Sequence, residues 1–441
     1  MKQILLIGAG KSATVLIDYL LNNAGTYGWH LTIGDADPHT AASKLKGHSH
    51  GSVTLFNADD DSTRDELVSR ADLVISMLPA TMHVPVAHSC IKFGKHLITA
   101  SYVSPEMAVL DEQAKERGCV LLNEMGLDPG IDHMSALQII HRIQNEGGKI
   151  TSFKSFTGGL VAPESIDNPW GYKFTWNPRN VIVAGQSTAR YLHNCKLKFI
   201  PYNRLFKNVE QFDIAGLGML EGYANRDSLG YIEPYNLHGI STMLRGTLRY
   251  KNYCNAWDCF VQLGLTDDSF IIPHSENLSY IELVQSLLPE GITADEASLI
   301  AFLGLDNRPE LFAMLQWTGI FSNDKAGIPD ASPARLLQHL LEQKWKLNPG
   351  DLDLVVMLHE FEYTLNGQAK KVTSTLALKG DDALHTAMAK TVGLPVAIAA
   401  KLILTGKWQL SGVKIPNEPL IYNPVLQELE EHGVIFNEIV T

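Results

Sequence analysis

A four-residue apolar run, Ile4-Leu5-Leu6-Ile7, leads straight into Gly8-Ala9-Gly10-Lys11-Ser12-Ala13, and a helical pattern over Ser12–Leu21 follows. Strand, glycine turn and helix in that order form the Gly-x-Gly-x-x-Gly/Ala fingerprint of a dinucleotide site. Gly8 permits the tight turn, Gly10 lets the backbone approach a pyrophosphate, and Ala13 lets helix and strand pack closely. The helix N-terminus then offers free N–H groups and a positive dipole to the phosphates. Glycine turns are common, so the motif alone also admits a purely structural turn; its context favours a docked dinucleotide. Asp35 ends the next apolar run, 22 residues after Ala13, where an acid accepts hydrogen bonds from the adenosine ribose. A 2′-phosphate there meets a like charge, which at about 4 Å and an effective dielectric near 20 costs on the order of 4 kcal/mol. NAD is therefore expected, with NADP as the alternative. The competing reading turns Asp35 to solvent and leaves Asp37, or nothing, in its place.

Through residue ~125 short apolar runs alternate with amphipathic stretches. Ile4–Ile7, Leu31–Ile33, Val53–Phe56, Leu73–Leu78, His96–Thr99 and Val120–Asn123 read as strands. Thr63-Arg64-Asp65-Glu66 reads as a capping box, and Ser104-Pro105 as an N-cap with proline at N1. The alternation predicts an α/β fold with a Rossmann-type, doubly wound parallel sheet. From ~150 the pattern changes: Ser152–Gly159 reads as a strand and ~262–350 as mostly helical. Leu354–Leu365 and Lys371–Leu378 flank Asn366-Gly367 as a hairpin. A helix over Ala387–Leu404 is expected to break near Pro395. At 441 residues the chain exceeds one ordinary core and predicts two or three domains.

A net charge of −12 argues against a nucleic-acid partner. The longest apolar stretches, such as Gly393–Leu404, fall short of the ~20 residues of a membrane span. Five cysteines without metal-like spacing point to a reducing compartment, and the first strand begins too early for a signal peptide; a cytoplasmic location is expected. No metal cluster, nucleophile elbow or P-loop occurs in the sequence.

Ser101-Tyr102-Val103 follows the fifth expected strand and Gly126-Leu127-Asp128-Pro129-Gly130 the sixth, beyond the strand carboxyl ends where open α/β sheets bind ligands. Asp128 suits proton relay or an amine contact, and equally an Asx-type turn. Tyr102 reads as a packing aromatic or an acid–base group, and His133 as a packing or capping histidine rather than a base. Between Gly171 and Lys251 eleven Lys/Arg stand against five Asp/Glu, a local balance of +6. Arg226 and Arg249 lie there, and the planar fork of arginine suits carboxylates.

The segments Ser101–Pro105, Asn123–His133, Gly158–Glu164, Asn168–Phe174, Arg245–Tyr250 and Ala387–Lys390 together resemble the glutamate-forming saccharopine dehydrogenases (saccharopine reductases), in order along nearly the whole chain. The resemblance implies a Rossmann domain at 1–127 completed by ~385–441. It also implies a substrate-binding and dimerisation α/β domain at 128–384, with a helical insertion at ~262–350. The implied reaction is oxidation of the secondary amine of saccharopine to an imine, hydrolysed to L-glutamate and 2-aminoadipate 6-semialdehyde. Saccharopine is a tricarboxylate, which suits the basic segment, and a homodimer is implied. By position, Ser101, Tyr102, Leu127, Asp128, Arg226, Thr247, Leu248 and Arg249 resemble the family's substrate contacts. Gly8, Gly10, Lys11, Ser12, Ala13, Asp35, Asn57, Ala58 and Trp176 resemble its cofactor contacts. Tyr102 and Asp128 become the expected proton-transfer residues. The NADP-using fungal members have an arginine in place of Asp35, which again points to NAD, and a cysteine in place of Thr157. The closest rival is a related C–N oxidoreductase such as a carboxynorspermidine dehydrogenase; a dinucleotide-binding sensor without turnover is the rival of another class.

Overall fold

The computed structural model describes residues 1–441, Gly185 excepted. It forms two compact units, Met1–Gly147 with Leu378–Phe436, and Gly148–Ala377 with Asn437–Thr441. In the first unit β1 (Lys2–Ile7), β2 (Trp29–Asp35), β3 (Gly51–Leu55), β4 (Leu73–Ser76), β5 (His96–Thr99) and β6 (Val120–Leu122) join the strand Gly412–Lys414 in one sheet. The spatial order is Gly412–Lys414, β6, β5, β4, β1, β2, β3, and neighbouring strands pair in parallel. Strand order reverses beside β1, the switch point at which such sheets bind ligands. Helices cover both faces, so strands such as Ile4–Ile7 and Leu73–Ser76 are buried throughout and read as unbroken apolar runs. The six expected strands lie within two residues of those observed.

The helix boundaries show where local chemistry prevails. The Ser104 hydroxyl accepts from the Met107 N–H, as its N-cap position predicts. The expected capping box at Thr63 is displaced: Asp60 caps Asp61–Arg70 instead, its carboxylate accepting from the Ser62 and Thr63 N–H groups. The helix Ala387–Leu404 runs without the expected break, Pro395 inside it. Most of this helix is buried, which keeps it in place although Pro395 removes one backbone donor.

The second unit is built on a nine-stranded mixed sheet. Its strands are β7 (Lys149–Val161), β8 (Ala189–His193), β9 (Lys196–Ile200), β10 (Val209–Ile214), β11 (Gly218–Ala224), β12 (Thr242–Tyr250), β13 (Asp353–Leu365) and β14 (Gln368–Lys379), with Asn437–Val440 at one edge. β7 lies between β12, to which it is parallel, and β13, to which it is antiparallel. Asn366 (φ 51°) and Gly367 (φ 78°) turn β13 into β14, the two positive φ values a tight hairpin requires. The expected helical insertion contains Tyr280–Leu287, Glu296–Leu303, Pro309–Thr318 and Pro333–Lys344. Trp170, Trp257 and Trp345 anchor the core of this unit.

Two expected boundaries shift. The first unit extends to Gly147 rather than 127, because the helix Ile131–Asn145 packs against Pro419–Glu431 of the same unit. Residues 437–441 do not complete the Rossmann sheet; they pair antiparallel with Val372–Thr375 of β14.

The helices Thr14–Tyr27 and Ala387–Leu404 touch through Gly393, where a Cβ would lie 2.9 Å from the Leu16 nitrogen and 3.3 Å from the Ser12 carbonyl. Both obstacles are backbone beside the phosphate loop. Gly393→Ala is expected to destabilise the protein by about 1–3 kcal/mol. A chemical-denaturation midpoint equal to wild type would show that the helices separate freely.

Candidate active site

The loop after β1 has the geometry of a phosphate cradle. Gly8 sits at φ +94°, and a Cβ there would lie 3.0 Å from the Met77 carbonyl oxygen. A Cβ built on Gly10 would meet nothing within 4 Å, so that side of the loop is open to a pyrophosphate. A 3₁₀ turn, Lys11–Ala13, leads into the helix Thr14–Tyr27, so the helix starts at the loop and outruns the expected Leu21. Lys11 is exposed, Ser12 half-buried and Ala13 buried. Asp35 faces this loop rather than solvent: its Oδ2 accepts from the Ala9 N–H at 2.6 Å and its Oδ1 from the Asp37 N–H at 2.8 Å. Asp37 is engaged otherwise, capping Pro38–Leu45 through the His39 N–H. Thr40 holds the same carboxylate, and these bonds keep the Asp37 carboxyl below its ordinary range. Lys44 donates through Nζ to the Gly10 carbonyl. Asn57 and Ala58 follow β3; Asn57 Oδ1 accepts from the Asp59 N–H and the Ala58 carbonyl from Arg64.

At the carboxyl ends of β5 and β6 two expected residues meet: the Tyr102 hydroxyl donates to Asp128 Oδ1 at 2.9 Å. Tyr102 is exposed and Asp128 half-buried. The Leu127 side chain is buried, and its carbonyl accepts from the Asp132 N–H. Ser101 Oγ lies 2.8 Å from His83 Nε2, and the Ser101 N–H donates to Thr99 Oγ1. His83 Nδ1 lies 2.8 Å from Ser76 Oγ.

In the second unit, Arg249 is only 3% exposed. Its guanidinium carbon lies 5.2 Å from the Tyr172 and Tyr253 ring centroids and 6.0 Å from that of Tyr223. Nη1 donates to the Leu248 carbonyl, and Nε has no partner among the described residues. Glu221 stands opposite Arg249 in register, but its carboxylate accepts from the Asn252 and Cys254 N–H groups at a helix N-terminus. Burial pushes the hydroxyls of Tyr172, Tyr223 and Tyr253 up, so the rings around the cation are neutral. Leu248 packs its side chain into the core, leaving only backbone for a ligand contact. Thr247 is half-buried, and its register neighbours are Thr157 on β7 and Tyr223 on β11. The buried Thr157 Oγ1 has no partner among the described residues. Arg226 is exposed at φ +45°, and Trp176 is partly buried against the core.

A phosphate cradle at the switch point of a parallel sheet, with a tyrosine–carboxylate pair at the same strand ends, defines a nicotinamide-dinucleotide-dependent oxidoreductase. Residues 4–122 match the saccharopine dehydrogenase NADP binding domain and residues 126–434 the saccharopine dehydrogenase C-terminal domain. The chain belongs to the saccharopine dehydrogenase family, in its L-glutamate-forming branch. It is 33% identical to the saccharopine dehydrogenase [NADP(+), L-glutamate-forming] of Schizosaccharomyces pombe, covering 99% of each chain. With the enzyme of the same name from Pyricularia oryzae it is 34% identical, over 100% of this chain and 99% of that one. The apo saccharopine dehydrogenase (L-Glu forming) structure from Saccharomyces cerevisiae matches with a TM-score of 0.90 at 31% identity, over 100% of both chains.

The sequence assigns no role to two buried residues here: His83, and Glu124 within the Asn123–His133 segment. His83 stands at the start of His83–Phe93, and only the fold reveals its three hydroxyl neighbours, Ser76, Thr99 and Ser101. Burial lowers its pKa from 6.5 to about 4. The unfolded chain then binds a proton between those values that the folded chain refuses, so this contribution is complete above pH 6.5 and is lost as pH falls toward 4. The loss amounts to about 3 kcal/mol. His83→Gln should flatten the stability-versus-pH curve across that window. An identical curve for variant and wild type would rule out a neutral, buried His83.

Proposed function

We propose that this protein oxidises the secondary amine of saccharopine to an imine, with Asp128 as the base and Tyr102 as its hydrogen-bonding partner. The observation carrying this reading is the 2.9 Å Tyr102–Asp128 contact in the same unit as the phosphate loop. The open space at Gly10 and the left-handed Gly8 fit a dinucleotide, which Gly8–Ala13, Asp35, Asn57 and Ala58 would hold. The bound cofactor supplies the hydride acceptor. The protein must do the rest.

The amine loses hydride from carbon only when its nitrogen is neutral, so a base has to take the ammonium proton first. A carboxylate oxygen of Asp128 receives it, and the Tyr102 hydroxyl, donating to Oδ1, orients that carboxylate. Water then adds to the C=N carbon, and cleavage of the carbinolamine returns a proton to the departing nitrogen. Glutamate leaves as the amine and the semialdehyde as the carbonyl. Arg249 supports recognition of one substrate carboxylate, since a buried guanidinium held by aromatic rings keeps its charge available. Ser101 and Thr247 add hydroxyls for the remaining polar groups.

Asp35 supports NAD, although the relatives are named for NADP(+). Its carboxylate lies against the loop amide that borders the pyrophosphate space, and a 2′-phosphate brought near it adds like charge.

Purified protein assayed with saccharopine should reduce NAD with a higher kcat/KM than NADP, and Asp35→Asn should narrow that ratio. Preference for NADP in the wild type would overturn the NAD assignment. Asp128→Asn should lower kcat by ~10²-fold or more. Turnover like wild type would remove Asp128 as the base. Arg249→Lys should raise KM for saccharopine with less effect on KM for the dinucleotide, since lysine keeps the charge without the fork.

A further inference from the structure

The geometry points to Glu124 as the positioning residue that holds Tyr102 and Asp128 at bonding distance. Glu124 lies just past β6 at φ +59°, a left-handed conformation uncommon for glutamate, and is 6% exposed. Its backbone N–H donates to the Ser101 carbonyl at 3.0 Å, and its Oε1 accepts from the Val103 N–H at 3.0 Å. One residue thus grips the chain immediately before and immediately after Tyr102.

The other carboxylate oxygen faces the Asp128 side. Glu124 Oε2 is 2.7 Å from His133 Nε2, an approach at ion-pair distance without hydrogen-bond alignment, on the helix Ile131–Asn145 that begins directly behind the Asp128 turn. That turn is fastened to the same helix start. The Gly130 N–H donates to Asp132 Oδ1 at 2.6 Å, and the Ile131 and Asp132 N–H groups donate to the Gly126 and Leu127 carbonyls. A buried carboxylate with one oxygen on each segment fixes the separation of the tyrosine and the aspartate. An amide at this position keeps an acceptor oxygen for the Val103 N–H but loses the carboxylate charge facing His133.

This inference rests on reading Tyr102 and Asp128 as the proton-transfer pair, and the test keeps the two apart. Glu124→Ala and Glu124→Gln are compared with wild type and with Asp128→Asn, alone and combined, for kcat, KM and dinucleotide binding. Amide hydrogen exchange is followed over 101–104 and 126–131. Glu124→Ala should lower kcat 10- to 100-fold while the protein still binds dinucleotide, Glu124→Gln should recover part of it, and exchange should quicken in both segments. Combined with Asp128→Asn it should cause little further loss, because Glu124 acts through that pair. Losses that multiply, or exchange unchanged in both segments, would overturn the positioning role. Should Asp128→Asn turn over like wild type, the proton-transfer reading fails, and the exchange result alone then decides whether Glu124 links the two segments.

Discussion

The chains leaving β5 and β6 stay hydrogen-bonded to each other past the ends of both strands. Leu97 and Ile98 pair with Leu121 and Leu122; beyond them the Met125 N–H reaches the Thr99 carbonyl and the Glu124 N–H the Ser101 carbonyl. Because the strands are parallel, both chains leave the sheet at the same edge, and these amides keep the departing segments side by side. Thr99 and Ser101 are thereby brought to His83, and Tyr102 is carried to Asp128. The same edge holds the loop at Gly8, since β1 and β4 are parallel in the same sheet. Chemistry and cofactor cradle share an edge because one hydrogen-bonding direction prevails across seven strands.

That edge was legible in the sequence, and its internal wiring was not. Strands buried on both faces leave unbroken apolar runs, so β1, β4 and β5 declare themselves, and the residues following β5 and β6 fall where ligands bind. Asn366-Gly367 announces its hairpin because few residues accept two positive φ values. The unit boundary is different: Ile131–Asn145 follows β6 closely in sequence, but what assigns it is packing against a helix nearly 300 residues later. Asn437–Val440 has no strong strand pattern, its four residues being exposed, and it is defined by the edge it joins. Within the site, Tyr102 and Asp128 stand out individually while their contact spans 26 positions. His83 and Glu124 acquire their partners only through folding.

Asp35 shows how one carboxylate joins two levels of organisation. The sequence places it at the end of β2 as a ribose acceptor. The structure adds that both oxygens hold backbone N–H groups, one in the phosphate loop and one in the turn after β2. Held by both oxygens, the carboxylate at this corner is part of the loop architecture itself. Lys44, bonded to the Gly10 carbonyl, brings a cation to the same corner, and burial disfavours that cation. A dinucleotide entering here therefore meets a negative group that is structurally committed and a positive group that is partly desolvated.

Arg249 presents the opposite electrostatic situation. Desolvating a guanidinium costs several kcal/mol, and a buried carboxylate is the usual compensation. Here the register neighbour that might provide one, Glu221, is committed to a helix N-terminus, and three neutral tyrosine rings surround the charge instead. Each ring contact returns about 0.5–2 kcal/mol, which offsets the burial incompletely. A folded state that retains such a charge is more favourable with an anion beside it than without one. Within the aromatic box the planar guanidinium has its Nε donor unspent. In a segment that is locally basic within an acidic chain, that unspent donor is the physical reason to assign anion recognition to Arg249 rather than to the exposed Arg226.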